Sequence, residues 1–259
     1  MTHFHAAKKK RTKGSKVYIL PNLFTLGSLF SGFYAMIAAI NGLFFASAVA
    51  IIIAAIFDGL DGRVARFTGT TSKFGMELDS LCDMASFGIA PALLAYLWAL
   101  QPYGRYGWLA AFLFAGTCAL RLARFNSQQE EAPSKDFTGL PCPAAAGMVA
   151  VTVLFSRYLG ATTTVKHIAI LLLVYVLSYL MVSNHTYLSF KHPKVSRGKS
   201  FAVLVGMVLL LVLVASEPPL TLFILGLLYV VSGPLLDLYR KFRPVEDALV
   251  TGHEKTLEP

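Results

Sequence analysis

Four carboxylates, at Asp58, Asp61, Asp79 and Asp83, are crowded into one short run of a mostly apolar chain, DGLDGRVARFTGTTSKFGMELDSLCD. The first pair is spaced i, i+3 and the second i, i+4, the two spacings that put side chains on one face of a helix. Four clustered acids repel one another unless a cation sits among them. Hard divalent ions such as Mg2+ and Mn2+ take oxygen ligands of this kind and commonly hold phosphates as well. Between the pairs lie Gly62, Ala65, Arg66 and Gly75, a turn region of small residues around a guanidinium able to clamp a phosphate bidentately. Residues with little or no side chain let a ligand approach the backbone closely, although they also serve close packing of membrane helices. Thr71, Ser72 and Lys73 share the stretch and are further candidates for phosphate contact. Ionisable residues at the edge of a membrane span mark function by default.

The elements that must position these residues are membrane helices. Apolar residues make up 56% of the 259 and charged residues only 14%, where a soluble domain carries nearer a quarter charged; the mean hydropathy is +0.61. Taking about 20 residues per crossing, the apolar runs predict an all-α, polytopic transmembrane helix bundle of eight spans, at 18–40, 43–64, 78–100, 106–126, 142–160, 165–188, 200–216 and 219–239. Spans two and three carry the acidic pairs at the ends that flank one short loop. No internal repeat or Ser/Gly linker divides the chain, so one transmembrane domain is expected over 18–243, between a basic tail at 1–17 and a second polar tail at 244–259. The first apolar run is long enough to span and shows no small-residue cleavage site, which argues against a cleaved signal.

Charge orients the bundle. With the N-terminus in the cytoplasm and eight spans, 20 of the 23 Lys and Arg fall on that side, leaving Arg105, Arg157 and Lys166 on the other. This is the positive-inside pattern, and it supports eight spans, or six with two re-entrant segments, over seven. It places both termini and the acidic motif on the cytoplasmic side of the cytoplasmic membrane, where nucleotides are found. The net charge of +9 is spread over loops without a recognition helix, so it points to topology and anionic lipid headgroups rather than nucleic acid. Cys82, Cys118 and Cys142 have no ligand or disulfide spacing and read as small packing residues. The histidines are scattered as well; His185, beside Asn184 near a span end, reads as polar glue between helices.

The motif D-x2-D-G-x2-A-R-x8-G-x3-D-x3-D is met at every fixed position, by Asp58, Asp61, Gly62, Ala65, Arg66, Gly75, Asp79 and Asp83. It resembles the motif of the CDP-alcohol phosphatidyltransferases, integral membrane enzymes that make phospholipids. The resemblance implies Mg2+ or Mn2+, two ions, with Asp58, Asp61 and Asp79 as principal ligands and Asp83 near the second position. It also implies a homodimer, and Asp83 as general base for the acceptor hydroxyl. A carboxylate near a dication is a weak base, so that role depends on a metal also acidifying the hydroxyl. Gly62, Ala65, Arg66 and Gly75, with Ser72 and Lys73 beside them, are the implied nucleotide and phosphate contacts.

The motif does not choose the acceptor, and the flanking residues carry that choice. LPNLFTLGSLFSGF at 20–33, FGMELDSLCDMASFGIAPALL at 74–94, ALRLARFN at 119–126 and FTGLPCPAAAG at 137–147 resemble membrane-embedded bacterial and archaeal phosphatidylserine synthases. Enzymes that use glycerol phosphate typically continue LDPxADK where this chain has LDSLCD. The expected substrates are therefore CDP-diacylglycerol and L-serine. Serine is a zwitterion, and Arg121 and Arg124, at i, i+3 near the cytoplasmic end of span four, could hold its carboxylate or the lipid-linked phosphate; positive-inside anchoring is the plainer reading of the same pair. Asn126 and Ser86 are further candidates for the acceptor pocket, Ser86 equally for a small polar contact between helices, while Pro141, Pro143 and Gly139 suit a bend before span five. Glycerol 3-phosphate, inositol phosphate or choline would leave the same chemistry in place with another acceptor. A cation transporter or channel would need acids distributed through the membrane depth, whereas these cluster at one end of two adjacent spans.

Overall fold

The computed structural model describes residues 19–68, 73–131, 139–160, 164, 166–185, 187 and 200–242. Among them every regular element is helical: α1 (Ile19–Ile40), α2 (Phe44–Thr68), α3 (Lys73–Asp83), α4 (Ala90–Ala95), α5 (Arg105–Glu131), α6 (Cys142–Tyr158), α7 (Ile168–Val182), α8 (Ser200–Ser216) and α9 (Pro218–Phe242). A π-helical stretch, Met84–Ile89, joins α3 to α4, and a second, Tyr96–Leu100, follows α4. These pieces run on as one rod from Lys73 to Tyr103. Five helical stretches are long and apolar enough to cross a membrane: Pro21–Ile40, Phe44–Val64, Lys73–Tyr103, Arg105–Ser127 and Pro218–Leu238. Each of the eight apolar runs contains a helix, but α6, α7 and α8 are shorter, at 17, 15 and 17 residues.

Large apolar side chains face outward, among them Phe30, Ile56, Phe112, Leu120, Leu172, Leu209 and Leu228. In water such a surface would be an aggregation patch; against lipid tails it costs nothing. Helices are also the form in which a lipid-exposed backbone satisfies its own polar groups. Association then depends on close packing, and small residues supply it. Ser28, Ser31, Ala35, Ala38 and Ala39 bury one stripe of α1, while Ser47, Ala48, Ile51 and Ala54 bury the facing stripe of α2. Gly32 is where α1 meets the π turn: a Cβ there would come within 2.7 Å of the Ser86 Cα. The interior beyond this hairpin is filled by Phe87, Leu94, Phe114, Met148, Leu177 and Met181.

Three boundaries differ from the sequence expectation. The third rod starts at Lys73, not residue 78, and α2 continues to Thr68. Gly62 and Gly75 therefore sit inside helices rather than in a turn; glycine is a poor helix former, which is why the motif reads as a loop in the sequence. The sixth apolar run, expected at 165–188, is helical only to Val182, and Ser183 is extended, with ψ 159°. The chain leaves the helix there because its backbone is claimed from outside: Leu140 N–H donates to the Leu180 carbonyl at 2.9 Å and Gly139 N–H to the His185 carbonyl at 2.8 Å. Gly139 has φ +80°, and a Cβ on it would lie 2.6 Å from the Met181 carbonyl oxygen, so this junction requires glycine.

Candidate active site

The small-residue stripe of α2 ends on acids. Ser47, Ile51, Ala54, Asp58 and Asp61 follow one another at steps of three and four, so the face that packs deep in the bundle presents carboxylates at its end. From the neighbouring rod Asp79 joins them, and carboxylate oxygens of Asp58, Asp61 and Asp79 lie within 4.8 Å of one another. Asp61 is almost fully buried and the other two are half-buried. Asp83, one turn on from Asp79, meets Asp58 side chain to side chain. From α1, the Thr25 hydroxyl reaches Asp61. Four acids from two helices thus share one pocket at the end of the α1–α2 hairpin.

Asp61 Oδ2 and Asp79 Oδ1 are buried with no hydrogen-bond partner among the described residues. A buried carboxylate oxygen left without a donor is costly, and two of them beside a third acid suit a divalent cation in charge and ligand type. Gly62 fits as well. A Cβ on it would meet nothing within 4 Å, so no neighbouring helix accounts for the missing side chain, and the space beside the acids stays open. Lys73 lies exposed at the start of α3 and Gly75 stands one turn before Asp79. Ala65 and Arg66 fall in the last turns of α2, with side chains outside the described residues; Thr71 and Ser72 are outside them altogether.

The acceptor-side candidates separate. Asn126 Nδ2 donates to Ser80 Oγ at 2.9 Å, tying the end of α5 to the residue after Asp79. Arg121, in the second half of α5, has the Cys118 and Cys142 thiols and the Tyr229 ring as electrostatic neighbours. Asp83 shares the Cys142 thiol with Arg121 as an electrostatic neighbour. Arg124, one turn further, is exposed and donates to Asn184 Oδ1 at 3.1 Å. Of its two expected places, Ser86 takes the contact between helices. It is fully buried, and its hydroxyl donates to the Ser28 carbonyl at 3.1 Å. The π turn swings it onto α1, where it joins helices instead of lining a pocket. All three cysteines are buried and unbridged.

His185 joins helices, as its place beside Asn184 suggested, but its partner Asp237 and the neighbouring Tyr187 escaped the sequence reading. His185 Nδ1 pairs with Asp237 Oδ2 on α9 at 2.7 Å. Tyr187 is buried and donates to the Val230 carbonyl at 3.2 Å; burial pushes its phenol up to about 12, so it remains a donor. The only signal in the sequence was a patch of polar residues, SNHTY, at the end of an apolar run.

A family model described as CDP-alcohol phosphatidyltransferase matches residues 18–176, which includes α1 to α6 and the four acids. The chain belongs to this family. Over 220 residues it is 40% identical to a CDP-diacylglycerol–serine O-phosphatidyltransferase of Helicobacter pylori, covering 84% of this chain and 90% of that one. The enzyme of the same name from Bacillus subtilis is 36% identical over 176 residues, 66% of this chain and 91% of that one. An archaetidylserine synthase of Methanothermobacter thermautotrophicus is 35% identical over 170 residues, 65% of this chain and 69% of that one. The first of these alignments extends well past the segments on which the sequence resemblance rests. This phosphatidyltransferase therefore carries its acids at one end of a bundle whose outer faces suit lipid.

Proposed function

We propose that the protein transfers the phosphatidyl group of CDP-diacylglycerol to L-serine, giving phosphatidylserine and CMP. The observation that carries this reading is the convergence of Asp58, Asp61 and Asp79 in a chain similar over most of its length to a relative bearing that activity in its name. The acids would hold Mg2+ or Mn2+, two ions, with Asp83 at the second position. Cations bound there would neutralise pyrophosphate charge and acidify an alcohol.

The chain's own residues do the rest. Gly62 leaves room for the nucleotide beside Asp61, and Ala65, Arg66, Gly75, Ser72 and Lys73 are assigned to its phosphates. The serine hydroxyl oxygen bonds to the lipid-side phosphorus as the bond from that phosphorus to the CMP oxygen breaks. The hydroxyl proton passes to Asp83, and CMP leaves carrying the bridging oxygen. Arg121 and Arg124 are assigned to the serine carboxylate, which a guanidinium binds in bidentate fashion; Asn126 holds the end of α5 at the level of the acids. Purified protein supplied with CDP-diacylglycerol, Mg2+ or Mn2+, and each alcohol in turn should release CMP fastest with serine. Faster release with glycerol 3-phosphate, inositol phosphate or choline would overturn the acceptor and leave the family intact.

The same reading takes the eight apolar helices as eight spans of one domain, 18–243, in the cytoplasmic membrane as a homodimer, with the tails and acids in the cytoplasm. Its support is the distribution of Lys and Arg, 20 against 3. Single cysteines at Thr70 and Tyr103 should label from opposite sides; the native thiols are buried and stay silent. Labelling of both from one side would refute the topology.

A further inference from the structure

We infer that the turn following α7, and Asn184 in particular, is the positioning element of the acceptor site, acting through Arg124. The inference rests on the assignment of Arg124 to the serine carboxylate. Four contacts converge on this short turn, and a fifth on the last turn of α7, from three directions. From α5, Arg124 Nη2 donates to Asn184 Oδ1 at 3.1 Å. From the segment before α6, Gly139 N–H donates to the His185 carbonyl at 2.8 Å and Leu140 N–H to the Leu180 carbonyl at 2.9 Å. From α9, Asp237 takes His185 Nδ1 at 2.7 Å and the Val230 carbonyl takes the Tyr187 hydroxyl at 3.2 Å.

The turn is fixed on two sides and offers its third side to Arg124. An exposed arginine on a helix end otherwise samples many rotamers, and ordering such a side chain costs conformational entropy. A carbonyl oxygen held by a fixed turn and accepting from one Nη meets much of that cost before serine arrives. The guanidinium has five N–H donors, so one bond to Asn184 leaves an edge for a carboxylate. Asn184 is thus a positioning residue, and the His185–Asp237 pair keeps its turn seated against α9. Neither needs to touch the substrate.

A double-mutant cycle on the full-length enzyme separates this role from a general structural one. Arg124→Ala should raise the serine KM about tenfold or more, and Asn184→Ala should raise it several-fold, with the KM for CDP-diacylglycerol unchanged in both. In an Arg124→Ala background, Asn184→Ala should have no further effect on serine KM. Asn184→Asp, which retains an oxygen acceptor, should recover most of the loss. If Arg124→Ala leaves serine KM unchanged, the assignment of Arg124 fails and the positioning role fails with it. If Arg124→Ala raises serine KM but Asn184→Ala does not, or if the two effects multiply in the double variant, the acceptor assignment stands and the positioning role is wrong. Equal rises in both KM values on Asn184→Ala would mark a loss of fold and also overturn it.

Discussion

Asp61→Asn should lower CMP release by about 100-fold or more while the protein still inserts and elutes as wild type, and Asp58→Asn and Asp79→Asn should follow closely. Residues that merely orient a metal ligand cost about 10–100-fold when removed, and these three sit where oxygen atoms themselves converge, within 4.8 Å. Asparagine keeps nearly the same volume and removes one negative charge. In metal-free protein that substitution relieves repulsion among crowded acids, so the variants should melt no lower than wild type in chelator while losing turnover. A site arranged for function at the expense of stability behaves in this way. Near-normal turnover at saturating metal in any one variant would take that residue out of the ligand set.

Stripping divalent cations should have the second large effect. Excess EDTA should abolish CMP release from the wild-type enzyme, and Mg2+ or Mn2+ should restore it. Because a ligand that binds only the folded state stabilises it by mass action, metal at 100 times its Kd adds about 2.7 kcal/mol. The melting temperature should therefore rise with added metal in wild type and stay flat in Asp61→Asn. The two buried oxygens without partners, on Asp61 and Asp79, are the physical reason. Full turnover by metal-free protein in EDTA would remove metal from the reaction altogether.

What the sequence displayed well was local. The acid pairs are three and four residues apart, and helical geometry alone puts each pair on one face. That the pairs meet each other needs the fold, but adjacent helices joined by a short connection leave few alternatives. Apolar runs mark helices because a backbone in lipid has no other partner, and each expected run does contain one. Run length misjudged the ends. Tyr187 counts as apolar in composition, yet its hydroxyl is committed to α9, and the helix before it stops at Val182. The polar contacts at the acceptor side were illegible for a different reason. Arg124 and Asn184 are 60 residues apart and His185 and Asp237 are 52 apart, and no periodicity links them. Of the two sequence readings of Ser86, the structure takes the small polar contact between helices, at a π turn that no residue pattern announced.

That π turn, Met84–Ile89, lies directly after Asp83. Its i→i+5 pairing gives each turn more residues than an α-helix has, so side chains beyond it are rotated relative to those before. The rod consequently changes angular phase between α3 and α4, before the second π-helical stretch at Tyr96–Leu100. In one phase, Asp79 and Asp83 look toward α2; in the other, Ser86 and Phe87 are fully buried, with Ser86 seated on α1. A uniform helix would tie the aim of the carboxylates to the choice of packing face, since both would be read from a single stripe. With the phase break between them, the membrane-buried half can be repacked to suit a different lipid environment while the acids keep their bearing.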